Sequence, residues 1–434
     1  NNDNCATGIN YSSRRVTTTS APYSYSTYTN TSGNYSILIP NTGTYSTSAN
    51  ENLNANLTSN PSSISVVSSG ENNNYNNTNF CISSTTNYSD LIVTLYPIGQ
   101  ARPGFSTTYK IHIYNNGSTN LNGSVVLTYE NGKITLNSST PAANSSTSNT
   151  LTWNYTNLLP FHYQSIGLTF TVAAPPTVNT GDTLAFTLVG NPIAGDAVPA
   201  NNTFTLTQPV FSSYDPNDKT VLEGSSITLP QASRYLHYLT RFQNTGTANA
   251  TTVVLKETLD AKLDWNTFEP LSSSHNYNVQ IRNGNELTVT YSNIDLAYSS
   301  ANEPASHGYF AYRIKPKSNV VVGDSFSSDA KIYFDYNPFI QTNTVTTTIN
   351  ALSTNDYEKN NFVMYPNPAS DYISIRSELS KEATFEISDI NGKLLLNGKV
   401  ENNREIDISQ LQSGFYLIRI NTENQKQTFK MIKE

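Results

Sequence analysis

The 434-residue chain is poor in charge: Asp, Glu, Lys and Arg supply 13% of it, roughly half the usual share of a soluble domain. Its net charge is −7, with no basic cluster that could track phosphates, so neither nucleic acid nor an anionic membrane is an expected partner. No apolar run approaches the ~20 residues a spanning helix needs. No secretory leader opens the chain either, and Asn1-Asn2-Asp3-Asn4 reads as the interior of a longer precursor. Cysteine is almost missing. The pair that exists, Cys5 and Cys81, brackets the first eighty residues; closing that loop would stabilise by roughly 4 kcal/mol in the chain-entropy model. A disulfide is therefore expected, and neither spacing nor neighbours suggest zinc.

The usual carriers of chemistry are scarce too. The five histidines, His112, His162, His237, His275 and His307, lie far apart and form no spaced metal pair. No nucleophile elbow, phosphate loop or dinucleotide fingerprint occurs. Paired carboxylates for glycoside chemistry assemble only in a fold, and a chain this poor in acids gives them little support. No catalytic residue is expected, and the chain is read as not being an enzyme.

What is abundant is Tyr, at 28 residues, with Asn, Ser and Thr. Aromatic and β-branched residues favour strands, while Asn, Ser and Gly favour the turns between them, which predicts an all-β protein. The length suits several modules in a row. Tyr-rich text, a turn at Asn30-Thr31-Ser32-Gly33-Asn34, an expected strand over Tyr35–Pro40 and a turn at Gly43 make up hairpin grammar in the first module. The order of these elements resembles the prealbumin-like repeats of bacterial surface proteins, which implies a β-sandwich over 1–85 whose first strand is missing.

A second module, 86–210, carries the alternating Tyr109-Lys110-Ile111-His112-Ile113-Tyr114 into Asn115-Asn116-Gly117, read as a hairpin-like turn before Val125-Val126-Leu127. A third, 211–350, repeats the phrase as Tyr238-Leu239-Thr240-Arg241-Phe242-Gln243, then Asn244-Thr245-Gly246 and Val253-Val254-Leu255. The size of the repeat suits immunoglobulin-like sandwiches. The phrases Tyr214-Asp215-Pro216-Asn217-Asp218-Lys219 and Tyr333-Phe334-Asp335-Tyr336-Asn337-Pro338 are similar to those of an uncharacterised immunoglobulin-like domain that precedes the sorting domain in Bacteroidetes surface proteins. A polar linker is expected over 351–361.

The final block, 362–434, is the most informative. Ala383, Phe385 and Ile387 alternate with polar residues up to Asn391-Gly392, which predicts a hairpin with a type I′ turn; Tyr416, Ile418 and Ile420 form another one-sided row, and a sandwich of about seven strands follows. Tyr365-Pro366-Asn367-Pro368, then Asp389 with Gly392-Lys393, then Gly414 and Tyr416, then Lys430 and Lys433 stand in an order that resembles the type A C-terminal sorting domain of Bacteroidetes type IX secretion substrates. That resemblance implies export to the cell surface or the extracellular space. It also implies an outer-membrane translocon with a β-barrel shuttle protein as partners, and a cell-surface sortase acting in or near the linker. The C-terminal strand, read as a free edge with Lys430 and Lys433, is the expected contact.

Three further candidates complete the reading. Asp215, Asn217 and Asp218, with Asp335 and Asn337, offer hard oxygen ligands for Ca2+ at a module junction, against an Asx-Pro turn that needs no ion; Asp3 and Asn4 offer a weaker calcium reading. Thr183, in Asp182-Thr183-Leu184, resembles a Bacteroidetes O-glycosylation acceptor. Trp153 and Trp265 suit either a carbohydrate platform or, the stronger reading, core anchors. The function expected is a surface stalk or adhesin-like protein, with accessory modules of a hydrolase whose catalytic domain lies upstream, or a glycan-binding module, as alternatives.

Overall fold

The computed structural model describes residues 8–50, 53–70, 78–212, 215–351, 362–377, 383–389, 392–400, 405–421 and 426–434. The chain divides into two units, Asn1–Ala351 and Leu352–Glu434. Both are built of strands, and the helical content of the described residues is three short 3-10 turns at Pro199–Asn201, Gln231–Ser233 and Pro304–Ser306. The chain is an all-β protein.

Within the first unit, Leu91 to Pro209 forms a sandwich. One sheet has the order Ile134–Thr140, Tyr163–Val172, Ser106–Asn115, Leu91–Pro97; the other runs Ser145–Ser146, Thr150–Leu158, Leu121–Tyr129, Thr183–Asn191, Thr203–Pro209. Strand alternation sends Leu151, Trp153 and Tyr155 inward. Tyr109, Phe170 and Phe186 meet at the centre, with ring centroids 5.7 and 4.8 Å from Tyr109, contacts worth ~0.5–1.5 kcal/mol each beyond area burial. Leu91–Pro97 is buried at every position, as a strand covered on both faces must be. The outer cover is the third module, whose Leu222, Leu239, Tyr309 and Ala311 belong to the same apolar cluster.

The third module places the sheet Lys219–Val221, Leu236–Gln243, His307–Pro316, Leu263–Ser273 over a core of Phe242, Tyr291, Phe310 and Tyr312. The opposing layer is a nine-stranded sheet, of which Ile340–Gln341, Lys331–Phe334, Ala250–Thr258, Glu286–Leu296 and Asn278–Arg282 come from this module. The remaining four, Tyr23–Tyr28, Arg15–Ser20, Gly43–Ser48 and Ile64–Ser68, come from the first eighty residues. Tyr25 pairs with Arg282, Ser26 with Ile281 and Thr27 with Gln280. The N-terminal segment thus extends the third module's sheet, while its Leu57–Asn60 and Cys81–Ser84 pair as a separate two-stranded sheet. Thr27 Oγ1 donates to the Val279 carbonyl (2.8 Å) and the Tyr28 hydroxyl to the Phe268 carbonyl (2.7 Å), which fastens the join.

Two local expectations change. Tyr35–Pro40 keeps the alternating exposure of an extended chain but joins no sheet. Asn115-Asn116-Gly117 closes no hairpin: Ser106–Asn115 and Leu121–Tyr129 lie in opposite sheets, so the turn arches between layers. Asn244-Thr245-Gly246 makes the equivalent arch between Leu236–Gln243 and Ala250–Thr258.

Among its described residues the second unit is a sandwich of seven strands: Phe362–Tyr365, Tyr372–Ser377 and Glu405–Asp407 in one sheet, Leu394–Lys399, Thr384–Asp389, Gly414–Asn421 and Lys426–Lys433 in the other. Ile373, Ile375, Phe385, Ile387, Ile418 and Ile420 fill its core, each such side chain stabilising by ~1.5–3 kcal/mol when fully buried.

Candidate functional site

In the second unit, the Tyr365-Pro366-Asn367-Pro368 phrase reaches across to the last strand. Both X–Pro bonds are cis. Between them, Asn367 Nδ2 donates to the Lys430 carbonyl and Oδ1 accepts the Ile432 N–H, both at 2.9 Å. The Ala369 N–H donates to the Ile432 carbonyl (2.8 Å), and the Ala369 carbonyl accepts the Glu434 N–H (2.9 Å). The C-terminal strand is therefore latched along 430–434, which corrects the reading of that stretch as a free edge. Lys433 is turned in, 8% exposed, with Nζ donating to the Glu434 carbonyl at 2.8 Å. Lys430 stays outside, its Nζ 4.3 Å from the Phe415 ring centroid.

The Asp389–Lys393 phrase shapes a turn, though not the one expected. The Gly392 N–H donates to the Asp389 carbonyl (3.0 Å) and the Asp389 N–H to the Lys393 carbonyl (3.1 Å), so the hydrogen-bonded turn is 389–392. Gly392 follows its bend at φ 81°, a left-handed position that suits glycine. This is the pattern of a longer loop with a glycine bulge, not a two-residue type I′ turn; Asn391 lies outside the described residues. Asp389 Oδ1 accepts the Lys393 N–H (2.9 Å), and the Tyr416 hydroxyl donates to the Gln412 carbonyl (2.7 Å). Gly414 opens its strand opposite Lys433. The register Phe415 to Ile432 and Leu417 to Lys430 leaves Phe415, Leu417 and Ile432 exposed on one outward face.

The calcium candidates do not converge. Asp215 Oδ1 accepts the Asn217 N–H (3.0 Å), as an Asx turn does. Asn217 Oδ1 accepts the Gln243 N–H (3.1 Å). Asp218 is ion-paired with Arg241, whose Nη1 donates to the Pro97 carbonyl (2.9 Å), and Asp335 accepts the amides of Thr251 (3.3 Å) and Thr252 (2.8 Å). Asn337 donates to the Phe334 carbonyl at 3.0 Å. Among the described residues no three His, Cys, Asp or Glu gather as a metal site. The motif instead joins two modules: Gln100 Nε2 donates to the Asp215 carbonyl (3.0 Å) and to Asp218 Oδ2 (3.2 Å). Its Lys219 is buried against Glu257 at 2.6 Å.

Cys81, at the start of Cys81–Ser84, is disulfide-bonded; Cys5, Asp3 and Asn4 lie outside the described residues. Thr183 is exposed at the first position of Thr183–Asn191. Trp153 is a core residue, 2% exposed, and Trp265 is half-buried, its indole N–H held by the Asp260 carbonyl at 2.9 Å.

Sequence reasoning missed a cavity of about 920 Å3 where the three modules of the first unit meet. Tyr11, Arg14 and Arg15 line it from the N-terminal segment, Asp90, His112 and Tyr163 from the second module, and Glu223, Arg234, Tyr235 and Glu269 from the third. Glu269 Oε2 accepts Arg313 Nε (2.8 Å) and Nη2 (2.6 Å), while its Oε1 accepts the Tyr235 hydroxyl (2.9 Å). Glu223 accepts both the His237 ring Nδ1 (2.6 Å) and the His237 N–H (2.8 Å). Asp90 accepts Asn116 Nδ2 (2.6 Å) and Asn201 Nδ2 (2.9 Å), and burial raises its carboxyl above the ordinary value against those amides. Burial pushes His112 down to about 3, aided by Lys110 and Arg313, and its ring lies 4.6 Å from that of Tyr163. Its volume lies within the roughly 300–1,000 Å3 span of small-molecule pockets. No local motif announces it, because its wall is drawn from positions hundreds of residues apart.

Comparison with known proteins bears on the two units differently. Residues 215–348 match the model of a domain of unknown function (DUF7619), and residues 363–434 match that of a secretion system C-terminal sorting domain. None of the curated proteins matches the chain. Among solved structures, the BSP domain of a biofilm-associated protein is 10% identical, covering 80% of this chain and 81% of that one, with a TM-score of 0.23. The C-terminal domain of the Streptococcus agalactiae AgI/II polypeptide BspA is 9% identical over 59% and 99% of the two chains, with a TM-score of 0.22. A collagen adhesin of Staphylococcus aureus is 13% identical over 61% and 93%, also at 0.22. Likeness at these scores says nothing of what this chain binds. The matched tail and its latched seven-stranded sandwich do identify its route: residues 363–434 are a type IX secretion C-terminal sorting domain, and the chain is exported across the outer membrane to the cell surface or the extracellular space.

Proposed function

We propose that the protein is a non-catalytic, adhesin-like surface protein whose first unit binds a ligand and whose sorting domain is engaged by the type IX translocon and its β-barrel shuttle protein. A cell-surface sortase then acts in or near 351–361. The sorting domain at 363–434 carries this reading. The binding role is supported by the nine-stranded sheet and common cores that join the three upstream modules, an arrangement that favours one binding head over a string of independent spacers. Non-catalytic action is supported by the cavity carboxylates, which are tied to Arg313, Tyr235, His237 and side-chain amides instead of standing as an acid and base across an open gap.

The shuttle's contact is assigned to the outward face of Phe415, Leu417, Ile432 and Lys430, since most other motif residues are occupied in shaping the sandwich. Deleting 363–434 in the producing cell tests the export step: the chain is expected to accumulate in the periplasm and lose surface labelling. Undiminished surface display of the truncated chain would sink it.

A further inference from the structure

We propose that the three-module cavity of the first unit binds an anionic saccharide, a sugar chain carrying carboxylate or sulfate groups. This rests on the reading of the first unit as a ligand-binding head and names the ligand class. The proposal begins with charge. Glu269 is neutralised within the wall by Arg313, at 2.6 Å, and Glu223 is held by His237. Asp90 accepts two side-chain amides, and burial raises its carboxyl above the ordinary value. Arg234 and Lys315 also line the cavity, and neither has a carboxylate partner among the described residues. Lys315 Nζ rests 4.7 Å from the Tyr235 ring centroid, and Arg234 is exposed. Two cations are thus left over in a chain whose net charge is −7, and a cavity that concentrates the minority charge selects a negative ligand.

The rest of the lining suits a polyol. Glu269 and Glu223 are each held by two or more protein donors, and a carboxylate so held keeps lone pairs for hydroxyl donors. Tyr163, 46% exposed and backed by His112, offers an aromatic face to the apolar side of a sugar ring. Asn201 Oδ1 and His112 Nε2 are buried without a protein partner, and polar atoms in that state call for a bound group or water.

The test is calorimetric titration of the full chain with an oligogalacturonate, a sulfated oligosaccharide and a neutral cello-oligosaccharide of equal length. At least one anionic probe is expected to saturate a single site about tenfold or more tighter than the neutral one; which one does so separates carboxylate from sulfate. Arg234→Glu, at an exposed position, is expected to weaken that binding about tenfold or more with an unchanged melting curve, and Tyr163→Ala to weaken it by a similar factor. Equal affinity for charged and neutral probes, no binding of any, or full affinity in Arg234→Glu would overturn the assignment. Attachment of the wild-type and Arg234→Glu chains to glycan-coated and cell surfaces tells the two readings apart. Attachment that survives the substitution leaves the adhesin reading standing and removes the cavity, whereas a wild-type chain that attaches to nothing removes the adhesin reading itself.

Discussion

Asn115 and Asn244 show how one side chain can define a whole arch. In each, Nδ2 donates to two carbonyls, of Thr119 and Leu158 in one sandwich (2.7 and 2.8 Å) and of Ala248 and Leu296 in the other (2.9 and 3.0 Å). Oδ1 accepts the Gly117 N–H (2.9 Å) or the Gly246 N–H (3.0 Å). Three backbone groups at each arch are thereby satisfied by one side chain. Asn244→Ala strands them and is expected to cost about 2–3 kcal/mol, read as a lowered urea midpoint with an unchanged slope. His112 makes the second residue-scale case. Its folded pKa of about 3 lies below the unfolded 6.5, so the unfolded chain binds the extra proton between those values. The stability is complete above pH 6.5 and falls as pH drops toward 3. Between pH 7.5 and 4.5 the loss is expected to be about 2–3 kcal/mol, and a His112→Leu variant, denatured by urea at both pH values, should lose correspondingly less.

At the scale of elements, the latch of Asn367 on the last strand explains a phrase that looked like a signal. Both arms of its amide are used, one donating and one accepting, so the residue type is dictated by two opposite backbone groups. Asn367→Ala is expected to destabilise the sorting domain by about 2 kcal/mol and to raise amide exchange at 430–434, measured by mass spectrometry. The rows Phe385–Ile387 and Tyr416–Ile418–Ile420 were legible because a period of two is local. The turn between Asp389 and Lys393 was misread because Asn-Gly fits two loop lengths, and the choice depends on which carbonyl meets the Gly392 N–H. The arch at Asn115 was mistaken for a hairpin for a similar reason: a turn's residues do not say which sheet the next strand will join.

At the scale of the molecule, the all-β class and the sorting domain were readable, while the way the upstream modules share sheets was not. Pairing Tyr25 with Arg282 is set by edges that exist only after both modules fold, and the cavity inherits that non-locality. The sharing predicts cooperative unfolding of the first unit. Trp153 reports on the second module and Trp265 on the third, so the single-tryptophan variants Trp153→Phe and Trp265→Phe should give fluorescence melts with coincident midpoints. Separated midpoints would mean that the modules unfold independently.

The join between Tyr23–Tyr28 and Asn278–Arg282 also sets a timetable. As the chain emerges from the ribosome or enters the periplasm N-terminus first, the strands Tyr23–Tyr28, Arg15–Ser20, Gly43–Ser48 and Ile64–Ser68 can pair with one another, but the outer edge of Tyr23–Tyr28 has no final neighbour until about 250 further residues have followed. Their hairpin must wait with an open edge, the condition that invites wrong pairings. The interval between the arrival of residue 28 and that of residue 282 is the period in which this protein most needs a chaperone.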